Sequence, residues 1–155
     1  MVATISVFVG NVVLFGLYAG VFVHVYRGTR FKLFLQIIGL MMASSIFAIL
    51  NWLSADEVNK VYRGGGDFVA WGRFNAFAYS LNQACFGVAH WLFAFEYFNI
   101  AKTMPLALKG VRMDYRRQKG YDNVRLIGNA ILIFIPAVIG LIMFFAYSTL
   151  YNSRD

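Results

Sequence analysis

Residues 126–147 read LIGNAILIFIPAVIGLIMFFAY, a run of 22 residues without a charged side chain. A helix advances about 1.5 Å per residue, so about 20 such residues cross the roughly 30 Å hydrocarbon layer of a membrane. Comparable, mostly apolar runs occupy residues 4–26, 33–53 and 74–100. The sequence therefore predicts an all-α integral membrane protein, a four-helix bundle that forms a single transmembrane domain over residues 1–155.

The composition supports this fold class. Of the 155 residues, 60% are hydrophobic and 14% are charged, whereas about 25% charged residues is usual in a soluble domain. The formal net charge is +7, but the basic residues flank the apolar runs instead of forming one patch. This pattern indicates anionic phospholipids as partners and argues against nucleic acid. The single cysteine, Cys85, excludes an intrachain disulfide.

Lysine and arginine predict the orientation. The connections after the first and third runs are rich in basic residues, whereas acidic residues offset those of the second connection. By the positive-inside rule, the first and third connections face the cytoplasm or the mitochondrial matrix, and both termini lie on the opposite side. The lipid head-group contacts predicted on the basic side are Arg27, Arg30, Lys32, Arg112, Arg116, Arg117 and Lys119.

Residues 102–125 form the longest polar connection, on the predicted inner side. Apolar residues such as Met104, Leu106 and Leu108 interleave with its basic residues. Two interpretations remain open, a segment that lies along the membrane surface and an ordinary solvated loop.

The third run carries most of the polar side chains that could do chemistry. At 100° per residue, Tyr79, Gln83 and Tyr97 each fall within about 20° of the direction of His90 on a helix. Such a face is costly against lipid, so we expect it to point into the bundle or against a partner subunit. Its role is either interhelical hydrogen bonding or a proton path, ligand pocket or metal site.

His90 is a candidate for cofactor binding, because a buried imidazole can ligate haem or relay a proton near neutral pH. The other histidine, His24, lies near the end of the first run and thus at a different depth. This offset argues against a haem held between two helices of one chain. Glu96 lies about 120° around the helix from His90, and we expect it to form an interfacial ion pair. The basic residues at the same depth are Arg27, Arg30 and Lys102.

Gly16 and Gly20 lie on one face of the first run and predict a helix-packing surface. The sequence contains no His-Glu-x-x-His, Gly-x-Ser-x-Gly or Cys-x-x-Cys motif. We therefore expect no catalysis by this chain alone, no metal, and no cofactor apart from bound phospholipids.

Residues 90–105, which begin HWLFAFEYF, resemble a His-Trp-x-Phe-Ala-x-x-Tyr pattern in uncharacterised multi-pass membrane proteins of unicellular eukaryotes such as ciliates. The segment is about a tenth of the chain. The resemblance implies a multi-pass membrane protein from a protist, and it transfers no catalytic residue.

A small helical chain without a complete active site is typical of accessory subunits. We therefore expect a non-catalytic accessory or structural subunit of a larger integral-membrane complex, with other membrane subunits as partners. A respiratory-chain assembly of the mitochondrial inner membrane is the expected setting. One alternative is a small channel, transporter or receptor-like protein whose path is lined by the polar stripe of the third run. Another is a redox subunit that binds haem or quinone with a partner's help.

Overall fold

The computed structural model describes residues 2–28, 32–64, 68–108, 110 and 115–152. These residues form four helices, and no strand occurs among them. The helices are α1 (Val2–Gly28), α2 (Lys32–Gly64), α3 (Phe68–Leu108) and α4 (Tyr115–Asn152). The predicted all-α fold class is therefore confirmed.

The helices extend beyond the apolar runs from which they were predicted. The second apolar run ends at residue 53, but its helix continues to Gly64. Polar residues are frequent in this extension. On this extension the Lys60 ammonium lies 2.7 Å from the carboxylates of both Asp56 and Glu57. Side chains three and four residues apart are neighbours on a helix, so charged pairs of this kind support the helix outside its apolar part.

The connection predicted over residues 102–125 is mostly helical. α3 continues through Pro105 to Leu108, and α4 begins at Tyr115. Between them, Gly110 has a φ of 68°, a left-handed conformation that glycine adopts without strain.

Three helices are long and apolar enough to cross a membrane, within the part of the chain that the structure describes. Their candidate spans are Ser6–Arg27, Lys32–Lys60 and Lys119–Tyr147. The fourth predicted span, residues 74–100, falls within α3. α3 is long enough, but Asn75, Asn82, Gln83 and His90 interrupt its apolar sequence. Length and composition thus bear out three of the four predicted spans.

The helices pack in chain order as an open row. α1 packs against α2, α2 against α3 and α3 against α4, and no other helices pack together among the described residues. A closed four-helix bundle also brings its first and last helices together. The predicted bundle therefore does not close, because α3 uses two opposite sides to contact its neighbours.

The α2–α3 interface has an apolar half and a polar half. In the apolar half, Ile37 of α2 packs with Val88, Ala89 and Leu92 of α3, and all four are buried. In the polar half, Asn75 and Ser54 are buried and hydrogen bonded to each other. Contacts at both ends of the interface fix an antiparallel arrangement of the two helices.

Close packing of α3 against α4 depends on glycine. A Cβ atom placed on Gly87 would lie 3.3 Å from Leu132, tighter than ordinary van der Waals contact. At three other positions a Cβ atom would overlap the facing side chain. These pairs are Gly72 with Tyr147, Gly128 with Trp91, and Gly140 with Ser80. The missing side chains let the two helices approach closely.

The packing surface predicted on α1 is not used within this chain. A Cβ atom on Gly16 or Gly20 would have no neighbour within 4 Å. α1 packs only against α2, through a different side that brings Phe8 to Trp52. No helix of the described chain packs on Gly16 and Gly20, so packing of another chain's helix on these glycines stays a prediction.

Candidate polar groove and polar face of α3

A groove of about 440 Å³ lies where α1, α2 and α3 face one another. Several amide and hydroxyl groups lie in its wall. We call it the polar groove, and its polar lining residues are Asn11, Ser44, Asn51, Trp52, Asn82 and Gln83. Side chains of this kind can hydrogen bond to an uncharged polar group or to a neighbouring helix.

Hydrogen bonds along one side of the polar groove connect α2 to α3. Ser44 Oγ donates to Asn82 Oδ1 at 2.7 Å. The side-chain nitrogen of Asn75 lies 2.9 Å from both the backbone and side-chain oxygens of Asn51, and 3.0 Å from Ser54 Oγ. Asn75 is only 7% exposed and Ser54 is fully buried. These polar groups therefore pair the two helices through Asn75 and Asn82, which lie outside the predicted stripe.

The α1 side of the polar groove is less constrained. Asn11 donates to the Val7 carbonyl at 2.9 Å, within its own helix. The Trp52 ring packs on Phe8 with centroids 5.0 Å apart, and its buried N–H group has no hydrogen-bond partner among the described residues. The Trp52 N–H is thus a donor that the described part of the chain does not use.

The predicted polar stripe, which we call the polar face of α3, comprises Tyr79, Gln83, His90 and Tyr97. Tyr79 is half-buried, whereas Gln83 and His90 are exposed and Tyr97 is 71% exposed. The stripe lies between the sides of α3 that contact α2 and α4, and Gln83 also lines the polar groove. His90 and Tyr97 are exposed in the described part of this chain, and a partner subunit as their surroundings stays a prediction.

His90 has one ring nitrogen engaged by its own helix. Its Nδ1 atom lies 2.8 Å from the Phe86 carbonyl oxygen, and the two rings are 4.0 Å apart at their centroids. A carbonyl oxygen only accepts hydrogen bonds, so Nδ1 carries the proton and Nε2 of the neutral ring is an acceptor. His24 is exposed on α1, which does not pack against α3.

Glu96 does not form the predicted ion pair with Arg27 or Lys102. It is half-buried on α3 and has no ion-pair partner among the described residues, which do not include Arg30. The Lys102 ammonium instead lies 4.7 Å from the centroid of the Phe98 ring. Lys102 is four residues from Phe98 but six from Glu96, so only Phe98 is on its side of the helix.

The basic residues predicted to contact lipid head groups are only partly described. Arg27, Lys32 and Lys119 are exposed near helix ends. Arg30 and Arg112 lie outside the described residues, as do the side chains of Arg116 and Arg117. Lipid contact by these residues stays a prediction. Within the described part of the chain, no group of three or more His, Cys, Asp or Glu residues could hold a metal ion.

Comparisons with protein families, with curated proteins and with solved structures find no match to this chain. Sequence reasoning identified the polar face of α3 but missed the polar groove. A signal for it exists, because Ser44 and Asn51 are seven residues apart on α2, as are Asn75 and Asn82 on α3. Residues seven apart lie on one helix face, so antiparallel helices can align two such pairs.

Proposed function

We propose that this chain is a non-catalytic subunit of a larger integral-membrane assembly, in which a partner's transmembrane helix covers the polar face of α3. The exposure of Gln83 and His90 on an open row of helices carries this proposal. From Tyr79 to Tyr97 the polar face is about 27 Å long at 1.5 Å per residue, close to the thickness of the hydrocarbon layer. Polar side chains inside the hydrocarbon layer are costly unless they face another protein or water.

The open row also leaves other broad surfaces for assembly. Large apolar side chains on α1 and α4 are exposed, among them Leu17 at 60% and Phe134 at 67%. The unused glycines Gly16 and Gly20 allow a further helix to approach α1 closely. A respiratory-chain assembly of the mitochondrial inner membrane is the proposed setting, with the basic connections on the matrix side.

The number of spans can be tested through the positions of the termini. If α3 spans the membrane with the other three helices, both termini lie on the same side, opposite the basic connections. If only the three candidate spans cross, the termini lie on opposite sides. We expect protease protection of an epitope tag at each terminus to place both tags on the non-cytoplasmic or non-matrix side. Tags on opposite sides would contradict α3 as a span.

Assembly can be tested by native electrophoresis after mild-detergent extraction, with mass spectrometry of the band that contains this chain. We expect the wild-type chain in a large assembly with other membrane proteins. The double variant Gln83→Leu/His90→Leu is expected to lose about tenfold in recovered partner. Two interhelical hydrogen bonds in a membrane contribute roughly 0.6 kcal/mol each, and about 1.4 kcal/mol is a tenfold change in an equilibrium constant.

The control for this experiment is Asn59→Leu, which makes the same kind of polar-to-leucine change at an exposed residue of α2 outside the polar face. It is expected to retain the partner, and circular dichroism of both purified variants is expected to match the wild type. Full partner recovery by the double variant would refute docking on the polar face. A wild-type chain that migrates alone or as a small homo-oligomer would refute the accessory-subunit role and favour the channel or transporter alternative.

The geometry of His90 favours one second candidate, a redox subunit that shares a haem with its partner. In metal sites, a ligating histidine commonly donates its other ring N–H to a backbone carbonyl, as His90 Nδ1 does toward Phe86. Nε2 of His90 and a histidine of the partner would then hold the haem, which would supply electron transfer. An optical spectrum of the purified assembly tests this role. A haem absorption band that His90→Ala abolishes supports it, and a spectrum without such a band refutes it.

A further inference from the structure

A second groove, of about 670 Å³, lies between α3 and α4. Its size is within the range of about 300–1,000 Å³ that is usual for small-molecule sites. We call it the apolar groove, because its wall consists mainly of Phe74, Phe77, Leu81, Leu141, Phe144 and Phe145. The one hydroxyl group in the wall, that of Ser80, donates to the Ala76 carbonyl at 2.9 Å. The wall therefore offers apolar contact along most of its length.

Several side chains of the apolar groove are exposed in spite of their size. Phe77 is 60% exposed, Leu141 is 58% exposed and Phe145 is 63% exposed. Gly140 lies at the base of the groove, where the close approach of α4 to Ser80 of α3 brings the helix backbones together. The result is a concave apolar strip between two helices.

One end of the apolar groove carries a positive charge. Arg73 lines this end, and its guanidinium carbon lies 4.7 Å from the centroid of the Phe144 ring. Its neighbour Gly72 faces Tyr147, the residue at which the apolar span of α4 ends. Trp71, also at this level, is 39% exposed. Tryptophan and tyrosine are enriched at the membrane–water interface, so in the membrane location proposed above Arg73 would lie at the depth of lipid phosphates.

We propose that the apolar groove binds an acyl chain of a phospholipid and that Arg73 binds the phosphate of the same molecule. Arginine suits this task because its planar guanidinium offers several N–H donors that match phosphate oxygens. From Arg73 to Leu81 the groove follows α3 for about 12 Å at 1.5 Å per residue. A single phospholipid molecule supplies both an apolar acyl chain for the groove and a phosphate for Arg73 at the end of the groove. The site rests on the membrane location proposed above.

The test uses the purified full-length chain in a neutral detergent, stripped of endogenous lipid. Palmitoyl-oleoyl phosphatidylglycerol is added, and native mass spectrometry measures the fraction of chain that retains it. Diacylglycerol with the same acyl chains is the probe that lacks the phosphate. We expect Arg73→Gln and Leu141→Trp each to lower phosphatidylglycerol retention about tenfold. The first removes the charge, and the second fills the groove while leaving the charge in place.

Lys60→Gln is the matched control, since it removes an exposed positive charge from α2, away from the apolar groove. It is expected to retain the lipid. Unchanged retention by Arg73→Gln, or equal retention of diacylglycerol by the wild type, would overturn phosphate binding by Arg73. Unchanged retention by Leu141→Trp would place the acyl chain elsewhere. If the lipid-retention test fails while both termini lie on one side of the membrane, only this lipid site is overturned. If the termini lie on opposite sides, the proposed membrane topology is overturned.

Discussion

Gly140→Leu is expected to destabilise the isolated chain by about 3 kcal/mol, at the upper end of what overpacking usually costs. A Cβ atom at this position would overlap the Ser80 side chain and lie 3.4 Å from the Ala76 carbonyl oxygen. Ser80 can change rotamer, but the Ala76 carbonyl belongs to the backbone of α3 and moves only if the helices separate. Thermal or denaturant unfolding in detergent, followed by circular dichroism, measures the effect.

Two further variants test whether the loss of stability in Gly140→Leu comes from the contact between α3 and α4. Gly16→Leu introduces the same side chain on α1, where no atom lies within 4 Å of the new Cβ. It is expected to change the free energy of unfolding by less than about 0.5 kcal/mol, as surface substitutions usually do. Gly140→Ala is expected to regain stability when combined with Ser80→Gly, which moves the small residue to the facing helix. Equal stability of Gly140→Leu and Gly16→Leu would show that α3 and α4 do not approach closely at Gly140.

The number and approximate positions of the helices could be predicted from the sequence, because membrane thickness fixes the length of an apolar run. The ends of the helices could not be predicted in this way. The surface of α2 becomes polar near residue 53, yet the helix continues to Gly64 with Lys60 paired to two acidic residues. Hydropathy indicates which part of a helix can face lipid. It does not indicate where the helix ends, because backbone hydrogen bonding continues through polar residues that favour a helix.

The pairing of helix faces was harder to predict than the helices themselves. Gly16 and Gly20 have the spacing of a packing motif and no neighbour, whereas Gly128 and Gly140 are twelve residues apart and both face α3. Spacing alone does not show which side of a helix meets another helix. That choice depends on complementary shapes, such as Trp91 lying over Gly128 and donating to the Arg125 carbonyl at 3.3 Å.

The polar residues of α3 illustrate the same limit. Periodicity places His90 and Gln83 on one stripe, with Asn75 and Asn82 toward its flank. Both groups carry amide side chains, yet the flank is the part that contacts α2 and the stripe is exposed. Asn75 and Asn82 contact α2 because Ser44 and Asn51 supply hydrogen-bond partners there. This pairing can be recognised only when α2 and α3 are known to be antiparallel neighbours.

Asn75→Leu is expected to lower the free energy of unfolding by about 2 kcal/mol. The substitution removes the amide that lies within 3.0 Å of three oxygens, those of Asn51 and Ser54. Interhelical hydrogen bonds in membranes contribute roughly 0.6 to 1.7 kcal/mol each, and a buried acceptor left unpaired costs about 1–3 kcal/mol. Asn75→Asp, which keeps the shape but replaces the amide by a charged acceptor, is expected to cost more. Unfolding in detergent measures both variants.

The matched controls are Asn59→Leu and Asn59→Asp, at an exposed asparagine of α2. Both are expected to stay within about 0.5 kcal/mol of the wild type. A double-mutant cycle with Asn51→Ala and Asn75→Ala separates the side-chain hydrogen bond from the rest of the cluster. We expect a coupling free energy of roughly 0.6 to 1.7 kcal/mol. Strict additivity would show that Asn51 Oδ1 and the Asn75 amide do not interact. The remaining loss in Asn75→Ala would then belong to the Asn51 carbonyl and Ser54, which still tie α2 to α3.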